Sequence, residues 1–175
     1  MKPLSTEIQT ERLLLRPFRE DDSQQVFSNW HSDPKVFLYL DQMPAEEPKQ
    51  SREYCHERTL YYRIPYFFDW AIIEKSTGKL IGEFNASYSR KRNSADIGYC
   101  IGSMWWNKGY MSELVPVMCE FFLGQAGIST ICAECAVNNI ASRRVLEKSG
   151  FILRNYNAAM KLYFYQFDPN KRCAQ

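Results

Sequence analysis

The sequence lacks both familiar phosphate-binding signatures. No G-x-x-x-x-G-K-[ST] occurs, and no G-x-G-x-x-G follows a strand-like run. Charge of one sign is missing as well. Lys and Arg total 22 against 20 for Asp and Glu, a balance too even to draw a nucleic acid or a membrane surface by bulk attraction. No apolar run approaches the ~20 residues of a membrane-spanning helix. Met1-Lys2-Pro3-Leu4-Ser5 has none of the character of a signal peptide, so a cytoplasmic protein is expected. The 6 cysteines do not form the dense pattern of a secreted disulfide scaffold, which points to reduced thiols. Cys132 and Cys135 make a solitary C-x-x-C. In a strand their spacing sends the two side chains to opposite faces, and neither His31 nor His56 is an obvious companion, so no metal is expected. No internal repeat, linker or low-complexity segment interrupts residues 1–175, which read as one domain.

What is present alternates between short β-branched or aromatic runs and helical periodicity. A strand over 13–18, closed by Pro17, leads to a helix from about Asp21 to Trp30, with acidic residues in its first turn. Residues 31–48 read as loop, since Pro34, Pro44 and Pro48 interrupt any regular pattern. A helix over 51–62 ends before Pro65. Three strands follow, over 67–74, 80–88 and 95–101. The first two are joined by a hairpin loop with Gly78 at a special backbone angle, the last two by the solvated loop Arg90-Lys91-Arg92. A helix over 108–124, a strand over 130–137, a helix over 140–148 ended by Gly150, and strands over 151–156 and 161–167 complete an α+β chain. Pro116 falls inside the first of these later helices, where a kink rather than an end is expected.

The chain is organised around A-D-I-G-Y-C-I-G-S-M-W-W-N-K-G-Y-M-S-E, residues 95–113. A strand passes through a glycine turn into a helix whose apolar positions include Leu114, Val115, Val117, Met118, Phe121 and Phe122. Such a turn aims unpaired amides and the positive end of the helix dipole at one point, which suits an anion. Gly109 would let a ligand approach the backbone closely. Taken alone, the same residues also describe an ordinary strand-to-helix connection.

A second block, N-N-I-A-S-R-R-V-L-E-K-S-G-F over 138–151, changes the reading. Together with the opening T-E-R-L-L-L-R-P, the I-G-Y-C-I strand and the W-N-K-G-Y turn, the chain resembles the GNAT superfamily of acyl-CoA-dependent N-acetyltransferases, and within it the Rim-type enzymes that acetylate ribosomal-protein N-termini. The resemblance spans nearly the whole chain. It implies a single domain with a mixed, mostly antiparallel twisted sheet, splayed at its centre and flanked by helices, with acetyl-CoA as cosubstrate and no metal. Tyr99, Cys100 and Ile101 match the strand that pairs with the pantetheine arm. Asn107, Lys108, Gly109, Tyr110, Met111 and Ser112 match the turn whose amides hold the pyrophosphate, and Asn139 matches a position that hydrogen-bonds near the pantetheine. The turn departs from the family's pattern at Trp106, where Gln or Arg is usual, and at Met111, where a small residue is usual. Trp105 and Trp106 are expected to plug the end of the strand.

Transfer of an acetyl group to an amine needs a base, a polarised carbonyl and a proton for the thiolate. The resemblance offers Asp96 as base, with Glu83 on the neighbouring strand as the alternative and Glu134 as a third carboxylate. Asp96 is equally a strand-edge residue that orders a loop or binds the substrate amine. The amide of Ile101 or its neighbour would polarise the carbonyl. Leu146 stands where many relatives carry an acidic tyrosine, and Ser142 is the Rim-type replacement, as acid or as a helix cap. The acceptor is a protein N-terminus or a small amine, in a site built from the first two helices, their loop and the last strands. The set Trp30, Phe37, Tyr39, Tyr61, Tyr62, Tyr66 and Phe67 belongs there, most of it as core. A monomer and a homodimer are both compatible with the sequence. The competing reading is a non-catalytic CoA-binding sensor or interaction module, which Met111 and Leu146 favour.

Overall fold

The strands of this chain are rich in β-branched and aromatic residues, which suit a pleated, buried surface. In a computed structural model, which describes residues 6–171, these strands form one eight-stranded sheet in the order β1-β2-β3-β4-β5-β6-β8-β7. The segment 1–5, read above for its lack of a leader, lies outside the described residues. The strands are β1 (Ile8–Gln9), β2 (Leu13–Arg16), β3 (Phe68–Glu74), β4 (Lys79–Ser89), β5 (Ser94–Ile101), β6 (Thr130–Ala136), β7 (Phe151–Asn157) and β8 (Leu162–Phe167). Among the described residues four α-helices accompany them: α1 (Ser23–Val26), α2 (Pro48–Tyr61), α3 (Tyr110–Glu120) and α4 (Ile140–Lys148). The sheet is mixed. β5 and β6 run parallel, whereas β1 with β2, β2 with β3, β3 with β4, β6 with β8 and β7 with β8 are antiparallel. Among the described residues no helix is long and apolar enough to cross a membrane.

The chain divides into two compact units. The first comprises the chain up to Ala86 together with Tyr99–Lys108, the second Ser87–Gly98 and the chain from Gly109 onward. In the first unit, Phe18, Val26, Trp30, Val36, Phe37, Cys55, Ala71, Ile73, Leu80 and Cys100 form a buried cluster. Strand β3 is buried along its whole length, including Asp69 and Glu74. Helix α2 begins at Pro48, three residues before the expected start, because proline suits the first helical position, where the missing N–H has no helical partner to lose. Glu47 and Gln50 close a reciprocal capping box around it. The expected helix over 21–30 is instead a 3-10 turn, the short α1 and a π-turn over Phe27–His31. Tyr39, Tyr61 and Tyr66 are exposed, so the aromatic set is core only at members such as Trp30 and Phe37.

In the second unit, α3 buries Tyr110, Met111, Leu114, Val115, Met118 and Cys119 at helical spacing. The helix runs through Pro116 to Glu120 and closes with a π-turn over Phe121–Gln125. Helix α4 occupies the expected 140–148 and packs on α3, β6 and β7, with Leu146 buried. Gly150 follows at φ 95°, the left-handed ending that only glycine adopts without strain.

Candidate functional site

The turn into α3 combines two left-handed residues with an exposed loop. Asn107 and Gly109 both take left-handed backbone, at φ 60° and φ 79°. Gly109 is the N-cap residue and supplies no side-chain cap, so the first-turn amides of α3 receive nothing from it. Residues Trp106, Asn107, Lys108 and Gly109 are exposed, while Tyr110 and Met111 turn inward. Met111 therefore packs the helix instead of occupying the turn, which accounts for the departure from a small residue there. The turn is anchored from outside the helix, because Arg12 Nη1 donates to the Lys108 carbonyl at 2.9 Å. A helix dipole with a lysine beside it is a feature that suits an anion.

Strand β5 brings Tyr99, Cys100 and Ile101 to the residues just before this turn. Tyr99 stacks on Phe84, with ring centroids 6.2 Å apart. A side chain at Gly82 on β4 would place its Cβ 2.1 Å from the Cys100 carbonyl oxygen, so glycine is required for the close approach of these backbones. The Gly102 amide already donates to the Ile81 carbonyl at 2.8 Å. On that side of Ile101 the neighbouring amide is thus already paired and does not polarise a carbonyl. Trp105 is buried as expected of a plug. Trp106 is not: it is 43% exposed, and its indole N–H donates to the Ile101 carbonyl at 2.9 Å. An indole needs such an acceptor, and this one lies at the rim.

Glu83 sits in a buried polar cluster of the first unit. The Tyr54 hydroxyl donates to its Oε2 in a short hydrogen bond, and Asn85 Nδ2 donates to Oε1 at 3.4 Å. Arg58 Nη2 lies 3.5 Å from Oε2, while Arg58 Nε pairs with Asp69 Oδ2 at 2.9 Å. The guanidinium lies over the Tyr54 ring, 3.2 Å from its centroid. Burial pushes the Glu83 carboxyl up to about 7, against the downward pull of Asn85. Asp69 is pushed up to about 6 by burial, with Arg58 drawing it down. His31, beside the Tyr54 ring, accepts or donates at 2.8 Å to the Ser51 hydroxyl, and burial lowers it to about 4, so its ring is neutral at pH 7. Tyr54, Arg58 and Asp69 were not singled out from the sequence. The available signals were a Tyr and an Arg four apart on one helix and an aspartate between two aromatics in a strand.

Asp96 lies in the second unit, where β5 pairs with β6 opposite Cys132. Burial, and then the charge of Glu134, push its carboxyl up to about 6. Glu134 itself is exposed. Ser142 and Asn139 open α4. Asn139 Oδ1 accepts the Ser142 backbone N–H at 3.1 Å, so Asn139 is the cap and Ser142 is not. The Ser142 hydroxyl hydrogen-bonds the Cys135 thiol, which burial otherwise holds above its ordinary range. Among the described residues no group of three His, Cys, Asp or Glu side chains is arranged to hold a metal. The Arg90-Lys91-Arg92 loop is an exposed turn between β4 and β5.

Residues 12–152 match the model of the acetyltransferase (GNAT) domain. The chain is 28% identical over 160 residues to the uncharacterised N-acetyltransferase YoaA of Bacillus subtilis, covering 91% of this chain and 88% of that one. In structure it is similar to a GNAT-family acetyltransferase from Bacillus anthracis, with TM-score 0.81, 22% identity and coverage of 93% and 98%. A Rim-type neighbour, the ribosomal L7/L12 protein acetyltransferase RimL solved with coenzyme A, superimposes with TM-score 0.81 at 17% identity, covering 95% of this chain and 99% of that one.

Proposed function

The chain belongs to the GNAT family of acyl-CoA-dependent N-acetyltransferases, and on that premise we propose that it moves the acetyl group of acetyl-CoA to a primary amine, either a protein N-terminus or a small amine. The observation that carries this reading is the exposed turn in which Asn107 and Gly109, both left-handed, open the N-terminus of α3. In this reading the amides over Gly109–Ser112, aided by Lys108, hold the pyrophosphate, and the main chain of Tyr99, Cys100 and Ile101 pairs with the pantetheine arm. Acetyl-CoA supplies an acetyl group activated as a thioester.

The chain's own residues handle protons. Glu83 takes the proton that the acceptor amine must lose, and its upward displacement to about 7 places it in the range where a carboxylate is both available and basic at neutral pH. Asp96, raised to about 6, is the second candidate for that role. Ser142 gives a proton to the departing sulfur. The RimL comparison supports a protein N-terminus as one acceptor to test, and the match over residues 12–152 supports one acetyltransferase domain across that stretch. The departures that favoured a non-catalytic module, Met111 and Leu146, are both buried and serve packing.

The test is calorimetric titration with acetyl-CoA, followed by a panel of amines and peptide N-termini with CoA release as the readout. Binding followed by acceptor-dependent release is the expected result. A folded protein that does not bind acetyl-CoA would overturn the assignment of the turn.

A further inference from the structure

The buried cluster around Glu83 sets two carboxylates, Asp69 and Glu83, against the guanidinium of Arg58, so the two compete for one cation. The geometry shows which is closer. Arg58 places its Nε 2.9 Å from Asp69 Oδ2, an ion-pair distance without a hydrogen bond from Nε, and leaves Nη2 farther off, at 3.5 Å from Glu83. Its guanidinium is held there by the Tyr54 ring beneath it and by the bond from Nη1 to the Tyr54 carbonyl at 3.3 Å. Asp69 is itself fixed. It lies in the fully buried β3, and the Tyr62 hydroxyl donates to its carbonyl at 3.0 Å while accepting the Phe18 amide.

We propose that Asp69 is a positioning residue: by occupying the guanidinium of Arg58, it keeps that cation from pairing closely with Glu83 and so leaves Glu83 free to take up and release a proton. The catalytic meaning of this arrangement rests on Glu83 being the base. The groups facing Glu83 are Tyr54 and Arg58 from α2, Asp69 from β3, Asn85 from its own strand, and Cys100 from β5, whose thiol burial holds well above its ordinary range. Tyr54 and Asn85 donate to the carboxylate. The thiol stays neutral, and so does the ring of His31 beyond Tyr54. Arg58 is therefore the one fixed charge among these groups that favours ionised Glu83, and Asp69 is the one group that offsets it.

The experiment follows the Glu83 side-chain carboxyl by carbon NMR across pH in the full-length protein, with Glu83→Gln to assign the signal. In the wild type, Asp69 is expected to ionise first and Glu83 near neutral pH. Glu83 ionising below pH 5 would overturn the proposal without any other variant being needed. In Asp69→Asn, the released guanidinium should lower the Glu83 midpoint by about one unit, a tenfold loss of proton affinity. An unchanged or raised midpoint in the folded variant would overturn the proposal as well. The acid limb of the kcat/KM profile is recorded in parallel. If the NMR midpoint falls and the limb moves with it, both readings stand. If the midpoint falls and the limb does not move, Asp69 keeps its role and the assignment of Glu83 as base fails.

Discussion

Asn139 accepts the backbone N–H of Ser142 through its side-chain oxygen at 3.1 Å, which makes the asparagine the cap of α4 and leaves the serine hydroxyl to the Cys135 thiol. The two roles offered for Ser142 are thereby separated. Asn139→Ala should lower stability by about 1 kcal/mol in chemical denaturation, the ordinary cost of a lost cap. Ser142→Ala should change stability by less than that and lower kcat with little effect on the KM for acetyl-CoA. Equal losses in both constants would sink the acid role.

Gly109 is held at φ 79°, where a side chain strains the backbone by about 1–2 kcal/mol. Gly109→Ala should weaken acetyl-CoA binding at least tenfold in calorimetry, through a displaced turn, while the far-ultraviolet circular dichroism stays that of the parent.

Gly82 has no such conformational demand, and its constraint is space. A methyl group would meet the Cys100 carbonyl oxygen at 2.1 Å and the Ile101 Cα at 2.7 Å. Both are backbone atoms, so neither can rotate away. Gly82→Ala should cost about 3 kcal/mol, the upper range for overpacking a core, seen as a lowered denaturation midpoint.

Arg58 lies between two acidic groups and is itself largely buried. Arg58→Ala would leave Asp69 without its cation, and breaking a buried pair from one side costs about 3–5 kcal/mol. Lost stability at pH 7 that is largely regained at pH 5, where Asp69 takes a proton, would identify the unpaired carboxylate as the cause.

Glu83, raised to about 7, binds its proton more tightly in the folded than in the unfolded chain. Its contribution to stability is therefore favourable at low pH and is lost as pH rises from the unfolded value near 4.5 through 7. Glu83→Gln removes that loss, so the variant should gain stability relative to the parent between pH 5 and pH 8 in denaturant titrations. Activity runs the other way: with Glu83 as base, the parent's kcat/KM should rise with pH through about 7, and Glu83→Gln should abolish that limb.

Local signals carried much of this structure. The bounds of α4 follow from its apolar spacing with Asn139 before it and Gly150 after it, because capping chemistry acts within one turn. Pro48 was misleading, since the same residue that interrupts a helix interior is favoured at the first position of α2. The π-turns over Phe27–His31 and Phe121–Gln125 widen the helical period in ways that residue spacing does not announce. Strand β1, two residues long, has too little sequence to show alternation. The turn at Gly109 was legible because helix-end chemistry is local. The cluster of Tyr54, Arg58, Asp69 and Glu83 was not, because it assembles one helix and two strands through tertiary packing, and only the buried aspartate in β3 hinted at it.

The hydrogen bond from Arg12 to the Lys108 carbonyl joins residues 96 apart in the chain. During synthesis the N-terminal strand emerges many seconds before its partner, at roughly 5–20 residues per second. The turn before α3 can form locally, yet its anchor closes only when the two ends of this long segment meet, an event that comes late because its loop-closure entropy must be met first. On the proposed assignment of this turn to acetyl-CoA, cofactor binding would depend on a contact that only this long-range closure can make.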